Sequence, residues 1–577
     1  MQNKVKTPWY GFYDGVRPHL DYPDCSVYKF IEDSASNHPD CIAYNYYGKK
    51  GSYRQFLQQI ERCARALKAL GIKEKDVVSI CMPNTPEAVI SFYAINKIGA
   101  VANMIHPLSA EPEIKYYLSV SKSRLAITID IAYNKIKHVL QDTPVEKVIV
   151  VSAADSMPLY MKPLYQLTKG RKIKLESDDA HTTGSRLSFR EFLGLAGSYQ
   201  GNTTVETGGD DVVAILYSGG TTGYPKGIEL TNLNFNALAM QGIEACACLK
   251  EKDRILSIMP VFHGFGLGIC IHTALYKGMT AILLPTFSAG TFHKLLINYR
   301  PNVIAGVPTL YEALLKNKKL EGKDLSFLRC VISGGDSLSV SLKSKIDAFL
   351  KEHGADTQVR EGYGLTECVT GSCLTPLGYY REGSIGIPYP DTYYKICKPD
   401  STQELPYGEE GEIVLAGPTV MKGYLNDPEE TGKVLKLHED GLVWLHTGDL
   451  GYMDEDGFIY FKQRLKRVIV SSGYSIYPQY IENVIDSYPD VLMSCVIGID
   501  HPYKIQVAKA FIVLKNGVRP SDEILAAIKA HCEKNLAVYS LPYEYEFREE
   551  LPKTLVGKVA FNELVKEEQL KNGKKES

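Results

Sequence analysis

The chain predicts an α/β fold: a large N-terminal body of layered α/β subdomains, a small β-rich unit attached to it, and a small α+β C-terminal domain. Three observations carry this. Short apolar, β-branched runs alternate with helical patterns over most of the length, as in layers built on largely parallel sheets. From Leu377 to Gly451 the chain turns rich in Gly, Pro and Tyr, with short alternating runs such as Gly411–Leu415. After Gln463 a strand and helix order resumes over about one domain length. The expected domains are residues 1–463 and 464–577.

Taken in order, Val77–Cys81, Val148–Val151, Val212–Leu216, Ala281–Leu284, Val303–Gly306 and Leu328–Ile332 read as short buried strands. Tyr53–Leu70 carries apolar residues at helical spacing, with Gly71 as its stop signal, and Pro86–Gly99 repeats that form. In the last unit Val468–Val470, Met493–Ile499 and Lys509–Leu514 read as strands, and helices start at Pro478 and Ser521. The charged end, Lys566–Ser577, reads as frayed.

The length of 577 residues corresponds to about three to four domain-sized units. Lys+Arg of 65 against Asp+Glu of 67 leaves a net charge of -2, so a nucleic-acid partner is not expected. The 13 cysteines are odd in number and contain no CxxC pair. A complete disulfide framework is therefore excluded, a zinc site has no support from the spacing, and reduced cysteines in a cytoplasmic protein are expected. The opening MQNKVKTPWYGFYDG lacks a signal peptide's apolar core. The most apolar stretch, Leu267–Leu284, is interrupted by His272 and Lys277, so no membrane span is expected.

The densest chemical signal is Tyr217–Gly227, YSGGTTGYPKG, fed by the strand from Asp211. Gly219, Gly220 and Gly223 allow close backbone approach to an anion, and successive backbone N–H groups form anion-binding nests. Ser218, Thr221 and Thr222 add hydroxyl donors, and Lys226 adds positive charge. The loop is not a Walker A sequence, because Lys226 follows Pro225. Glu361–Glu367 reads EGYGLTE, two glycines around an aromatic followed by a hydroxyl and a carboxylate. Ser333–Leu338, SGGDSL, puts Gly334 and Gly335 at a strand's end, where open α/β sheets admit ligands. Trp444–Asp449 is WLHTGD, Arg464–Gly473 is RLKRVIVSSG, Leu551–Val559 is LPKTLVGKV, and Pro260–Gly268 is PVFHGFGLG.

The loop ILYSGGTTGYPKGIELTNLN resembles the signature of the ANL adenylate-forming superfamily, with Gly219-Gly220 where Ser-Gly is usual. Five motifs follow that family's order between about Tyr53 and Val559. The acyl-CoA synthetase branch, and within it the long- or medium-chain fatty acid–CoA ligases, fits best. The resemblance implies that Tyr363 stacks on adenine, Thr366 meets the α-phosphate, and Glu367, with Thr222, holds Mg2+. Glu361, Gly362, Gly334 and Gly335 line the nucleotide, Asp449 accepts from the ribose hydroxyls, and Arg464 contacts the ribose. Lys466 is the implied hinge of a mobile lid domain, Gly473 passes the thiol arm, and Lys558 enters for adenylation. His263 lies where an aromatic or His abuts the acyl carbonyl, and His263, Phe265 and Gly335 form the expected acyl pocket. Neither His263 nor Phe265 offers the charge that amino-acid substrates need.

Some positions depart from the pattern: Val470 replaces a frequent lysine, Tyr480 a glutamate, and Ile505-Gln506 a Gly-Glu pair. They bear on thiol docking. The implied reaction activates a fatty acid with ATP as acyl-AMP and passes the acyl group to coenzyme A. A ligase loading an acyl carrier protein, a ligase for bile-acid or aromatic carboxylates, and a non-catalytic binding protein stand as alternatives. A monomer or homodimer is expected. The segment Ser156–Leu175 mixes Met, Leu and Tyr with Lys162, Lys169, Arg171, Lys172 and Lys174. It reads either as a peripheral membrane contact or as an ordinary surface helix.

Overall fold

The computed structural model describes residues 5–168, 170–173, 175–176, 185–218, 225–467, 469–471, 474–476, 478–501, 504–536, 540–554 and 557–573. Of the expected site, Gly219, Gly220, Thr221, Thr222, Gly223 and Gly473 lie outside the described residues, as do the side chain of Lys466 and two of the five basic residues, Lys169 and Lys174.

Among the described residues, the body is built on a nine-stranded and an eight-stranded sheet, both mostly parallel. The predicted strands fall in these sheets. One is displaced: the run expected at Leu328–Ile332 pairs as Cys330–Gly334, because the chain enters through a turn at Leu325–Leu328. That shift makes Gly334 part of the ladder, opposite Gly362.

The helices follow local signals. Ser52 Oγ accepts from the Gln55 N–H, and Gln55 Oε1 accepts from the Ser52 N–H, so Tyr53–Ala69 starts on a capping box. It ends before Gly71, whose φ of +79° suits glycine alone at little cost. Thr85 caps Pro86–Lys97, with Pro86 in the first turn, where no N–H is needed. One continuous apolar core joins both sheets through Val27–Asn37, Pro86–Lys97 and Asn232–Cys246, with Phe92, Tyr93 and Phe235 fully buried.

The β-rich unit is an antiparallel sheet of Tyr393–Cys397, Gly411–Ala416, Leu435–Leu437, Val443–Met453 and Ile459–Arg464. It runs past the expected Gly451 to Arg464, because the turn at Asp454–Gly457 returns a further strand. Trp9, fully buried, packs into its core from the N-terminal segment.

The last unit pairs Val491–His501 with Ile505–Leu514 along nearly their whole length, under helices Pro478–Asp486 and Asp522–Asn535. Its end corrects the sequence reading. Phe561–Gly573 is a helix, with Leu564 buried and Glu568 paired to buried Lys509 at 2.8 Å. Of the charges that suggested fraying, Glu567, Glu568 and Lys571 pair with Arg548, Lys509 and Glu546 of the sheet, while residues 574–577 lie outside the described ones. Among the described residues, no helix is long and apolar enough to cross a membrane.

Candidate active site

The C-terminal ends of the body's strands, the β-rich sheet and the last unit enclose one cleft of about 1330 Å³. Each described residue expected in the nucleotide, acyl and catalytic sets lines it: Ser218, Lys226, His263, Phe265, Gly334, Gly335, Glu361, Gly362, Tyr363, Thr366, Glu367, Asp449, Arg464 and Lys558.

The floor is glycine. Gly334 and Gly362 sit side by side on parallel strands, and Gly335 turns away at φ +82°. A Cβ at Gly335 would lie 3.5 Å from Lys558 Cε and 3.9 Å from Phe265 Cδ1. The backbone is thus bare where the lysine stem and the aromatic ring meet, at the end of the sheet where ligands enter.

Tyr363 ends the strand Val359–Tyr363 and donates its hydroxyl to Asp449 Oδ2 at 2.6 Å. Asp449 belongs to Val443–Met453 and is buried. Its other oxygen, Oδ1, lies 3.3 Å from Arg464 Nε but accepts no hydrogen bond among the described residues. Burial raises its pKa, and Arg464 and the Tyr363 hydroxyl oppose the shift. A buried carboxylate oxygen beside a guanidinium, with no donor of its own, suits a ligand hydroxyl.

Glu367 lies in the turn Thr366–Cys368 and accepts from the Tyr424 hydroxyl at 2.9 Å. The Lys226 ammonium lies 4.6 Å above the Tyr424 ring and pairs with Glu430. That pairing, with Lys433, lowers the Glu430 carboxyl to about 2. Tyr424 and Glu430 were not singled out in the sequence. The strand Gly423–Tyr424 reaches the phosphate hairpin by pairing Tyr424 with Ile228, a long-range register that no local signal announces.

His263 accepts from the Phe265 N–H through Nδ1 at 3.1 Å, which leaves the proton on Nε2. Burial, with the Lys558 charge, lowers its pKa to about 3, so it is neutral at physiological pH. The π-helix Phe265–Thr273 follows it directly, a rare element frequent at functional sites. The cleft is lined as well by Gly242 and by the apolar Leu249, Ile255, Ile269, Met279 and Val303. Glu361 is buried beside it, accepts from the Leu338 N–H, and is raised to about 8 by burial. It is therefore largely protonated at pH 7.

Lys558 reaches the cleft from the C-terminal unit. Burial lowers its pKa, opposed chiefly by Asp336. The unit is thus seated with this lysine facing Gly335.

Residues 31–425 match the family model described as AMP-binding enzyme, and residues 480–558 match the AMP-binding enzyme C-terminal domain. The chain is 36% identical over 574 residues to a long-chain-fatty-acid–CoA ligase of Bacillus subtilis (strain 168), covering 97% of this chain and 98% of that one. A Yersinia pestis protein of the same name is 31% identical, covering 94% of each. Among solved structures, ATP-bound MatB from Rhodopseudomonas palustris is similar with a TM-score of 0.80 at 25% identity, covering 94% of this chain and 99% of that one.

Proposed function

The chain belongs to the AMP-binding enzyme family, and from that premise we propose an ATP-dependent, AMP-forming fatty acid–CoA ligase. The observation that carries this is the cleft itself. Tyr363, Asp449, Arg464, Glu367 and Lys558 give it a polar end, and Leu249, Ile255, Ile269, Met279 and Val303 give it an apolar wall that we read as an acyl passage. The first suits a nucleotide and the second an aliphatic tail.

A carboxylate is a poor electrophile because its leaving group would be oxide. In the first step a carboxylate oxygen bonds to the α-phosphorus of ATP as pyrophosphate departs. Both reactants are anions, so alignment and charge neutralisation carry most of the catalysis. Lys558 and the phosphate loop supply positive charge and donors, Asp449 Oδ1 accepts from the ribose, and Tyr363 offers a ring face. Glu367 would hold a Mg2+ ion, which neutralises phosphate charge when bound. Among the described residues no group of three or more His, Cys, Asp or Glu converges on an ion. One carboxylate with phosphate oxygens and water completing the shell is the habit of Mg2+.

In the second step a coenzyme A thiol, losing its proton, bonds to the acyl carbon and AMP leaves. Neutral His263, with its proton on Nε2, lines the same cleft without adding charge to it. The domain division proposed is 1–463 and 464–577, with Lys466 as hinge and Gly473 on the thiol's path.

Lys558→Ala is expected to abolish ATP–pyrophosphate exchange with fatty acids while sparing thioester formation from supplied acyl-AMP. Normal exchange in that variant would remove the assignment. A panel of acids of graded length, with free CoA set against holo carrier protein, identifies the substrate and the acceptor.

The helix Lys162–Leu167 buries none of its residues. Around it Leu159, Tyr160, Leu164 and Leu167 are 83%, 78%, 63% and 70% exposed. Apolar side chains standing out in a segment that also carries Lys162 and Arg171 suit an anionic bilayer surface, where fatty acids partition. The protein is expected to co-sediment with anionic vesicles at low salt, and Leu159→Ser with Leu164→Ser to abolish this. Wild-type protein remaining in the supernatant would refute the contact.

A further inference from the structure

The turn that carries Lys558 is gripped from two sides by the N-terminal body. Thr309, in the first turn of helix Pro308–Leu315, donates its hydroxyl to the Gly557 carbonyl at 2.8 Å. Asp336, just beyond the strand Cys330–Gly334, accepts the Val559 N–H through Oδ2 at 3.3 Å. The flanking backbone groups of Lys558's two neighbours are therefore bound, one as acceptor and one as donor. The turn is also closed on itself. The Thr554 N–H donates to the Lys558 carbonyl at 2.7 Å, and the Lys558 N–H donates to Thr554 Oγ1 at 3.0 Å.

Asp336 has a second, electrostatic relation to the same lysine. Burial disfavours the Lys558 ammonium, and among the charges that favour it Asp336 acts most strongly, ahead of Asp449 and Glu367, while Arg464 opposes it. Asp336 also bears on Arg464 and Arg467, so its carboxylate stands among cations from both sides of the domain junction.

We propose that Thr309 and Asp336 are positioning residues, a two-point clasp that seats the Lys558 turn for adenylation and opens when the C-terminal unit turns for thioester formation. This rests on the adenylating role of Lys558. Side-chain hydrogen bonds to a turn suit such a duty. Each is modest in net strength, so the clasp orders the lysine without locking a domain that must leave in every cycle.

The test uses the full chain and both half-reactions, pyrophosphate release with a fatty acid and ATP, and thioester formation from supplied acyl-AMP and CoA. Thr309→Val and Asp336→Ala are expected to lower kcat for adenylation about five- to tenfold, the scale of one lost hydrogen bond. KM for ATP should hold, and thioester formation should be unchanged or faster. Thr309→Ser should restore the rate.

Asp336→Asn separates charge from geometry. The working form of Lys558 is protonated, so activity is lost as pH rises through its pKa. Removing the Asp336 charge lowers that pKa further, so the alkaline limb of adenylation should move to lower pH. Thr309→Val should leave the limb in place. Wild-type adenylation in the variants, equal loss of both half-reactions, or an unmoved limb in Asp336→Asn would overturn the clasp. Lys558→Ala is assayed alongside. If it adenylates normally, the reading of Lys558 fails first. If it is inactive while the clasp variants are normal, only the clasp fails.

Discussion

At the residue scale, a tight constraint falls on Gly264, between His263 and Phe265. A Cβ there would lie 1.6 Å from the Val369 carbonyl oxygen. Val369 follows the Thr366–Cys368 turn at φ +63°, a backbone region that β-branched residues rarely enter. Strain of this kind persists only where the surroundings enforce it. The His263 loop and the Glu367 turn thus meet through one backbone contact, and neither can shift without the other. Gly264→Ala is expected to displace both and cut pyrophosphate exchange by about 100-fold, the scale of a misplacement of about 1 Å. Gly194→Ala, where an added Cβ meets nothing within 4 Å, serves as control. An unimpaired Gly264→Ala would remove the coupling argument. The glycine density of PVFHGFGLG is visible in the sequence, and so is the His among apolar residues. What Gly264 presses against is not, because Val369 arrives from a distant strand end and its φ is set by tertiary packing.

At the element scale, the alternation of β-branched runs and capped helices made the layered body legible, since period and punctuation are local properties. Register and length across partners are not local. The strand at Cys330–Gly334 slid by two residues toward the cleft, and the charged C-terminal run proved to continue a helix, Phe561–Gly573, that buries Leu564 against the sheet. Helix Asn232–Cys246 shows what such packing does for function. Its Gly242 lines the apolar passage opposite Ile269. A glycine inside a helix costs about 1 kcal/mol relative to alanine, and here it leaves room that a side chain would fill. Gly242→Phe is therefore expected to shorten the passage. Activity with the longest acids should fall sharply while that with short acids is retained, read as kcat/KM across a chain-length series. A uniform loss across the series would mean that the tail does not run past this helix.

At the scale of the whole molecule, the proposed mechanism runs two chemistries in one cleft, and the junction at Arg464–Arg467 is its expected pivot. Arg464 ends a strand of the β-rich unit, paired in register with Asp449 and in charge contact with it. Arg467 belongs to the other side: it pairs with Glu482 of helix Pro478–Asp486 and donates to the Val496 carbonyl at 3.1 Å. Only Leu465 and Lys466 lie between these anchors, in a single 3-10 turn. On the proposed mechanism, rotation of the last unit falls on the torsions of these two residues, as in hinges generally. The motif pointed to Lys466, but the paired arginines that confine the hinge became visible only with both sheets in place. Lys466→Pro fixes φ near −65° by its ring and disfavours the helical conformation of Leu465. The ring accepts one setting of the hinge, so one arrangement of the cleft survives and the other is lost. One half-reaction should collapse while the other persists, measured separately as pyrophosphate exchange and as thioester formation from supplied acyl-AMP. Equal loss of both would mean that the pivot lies elsewhere.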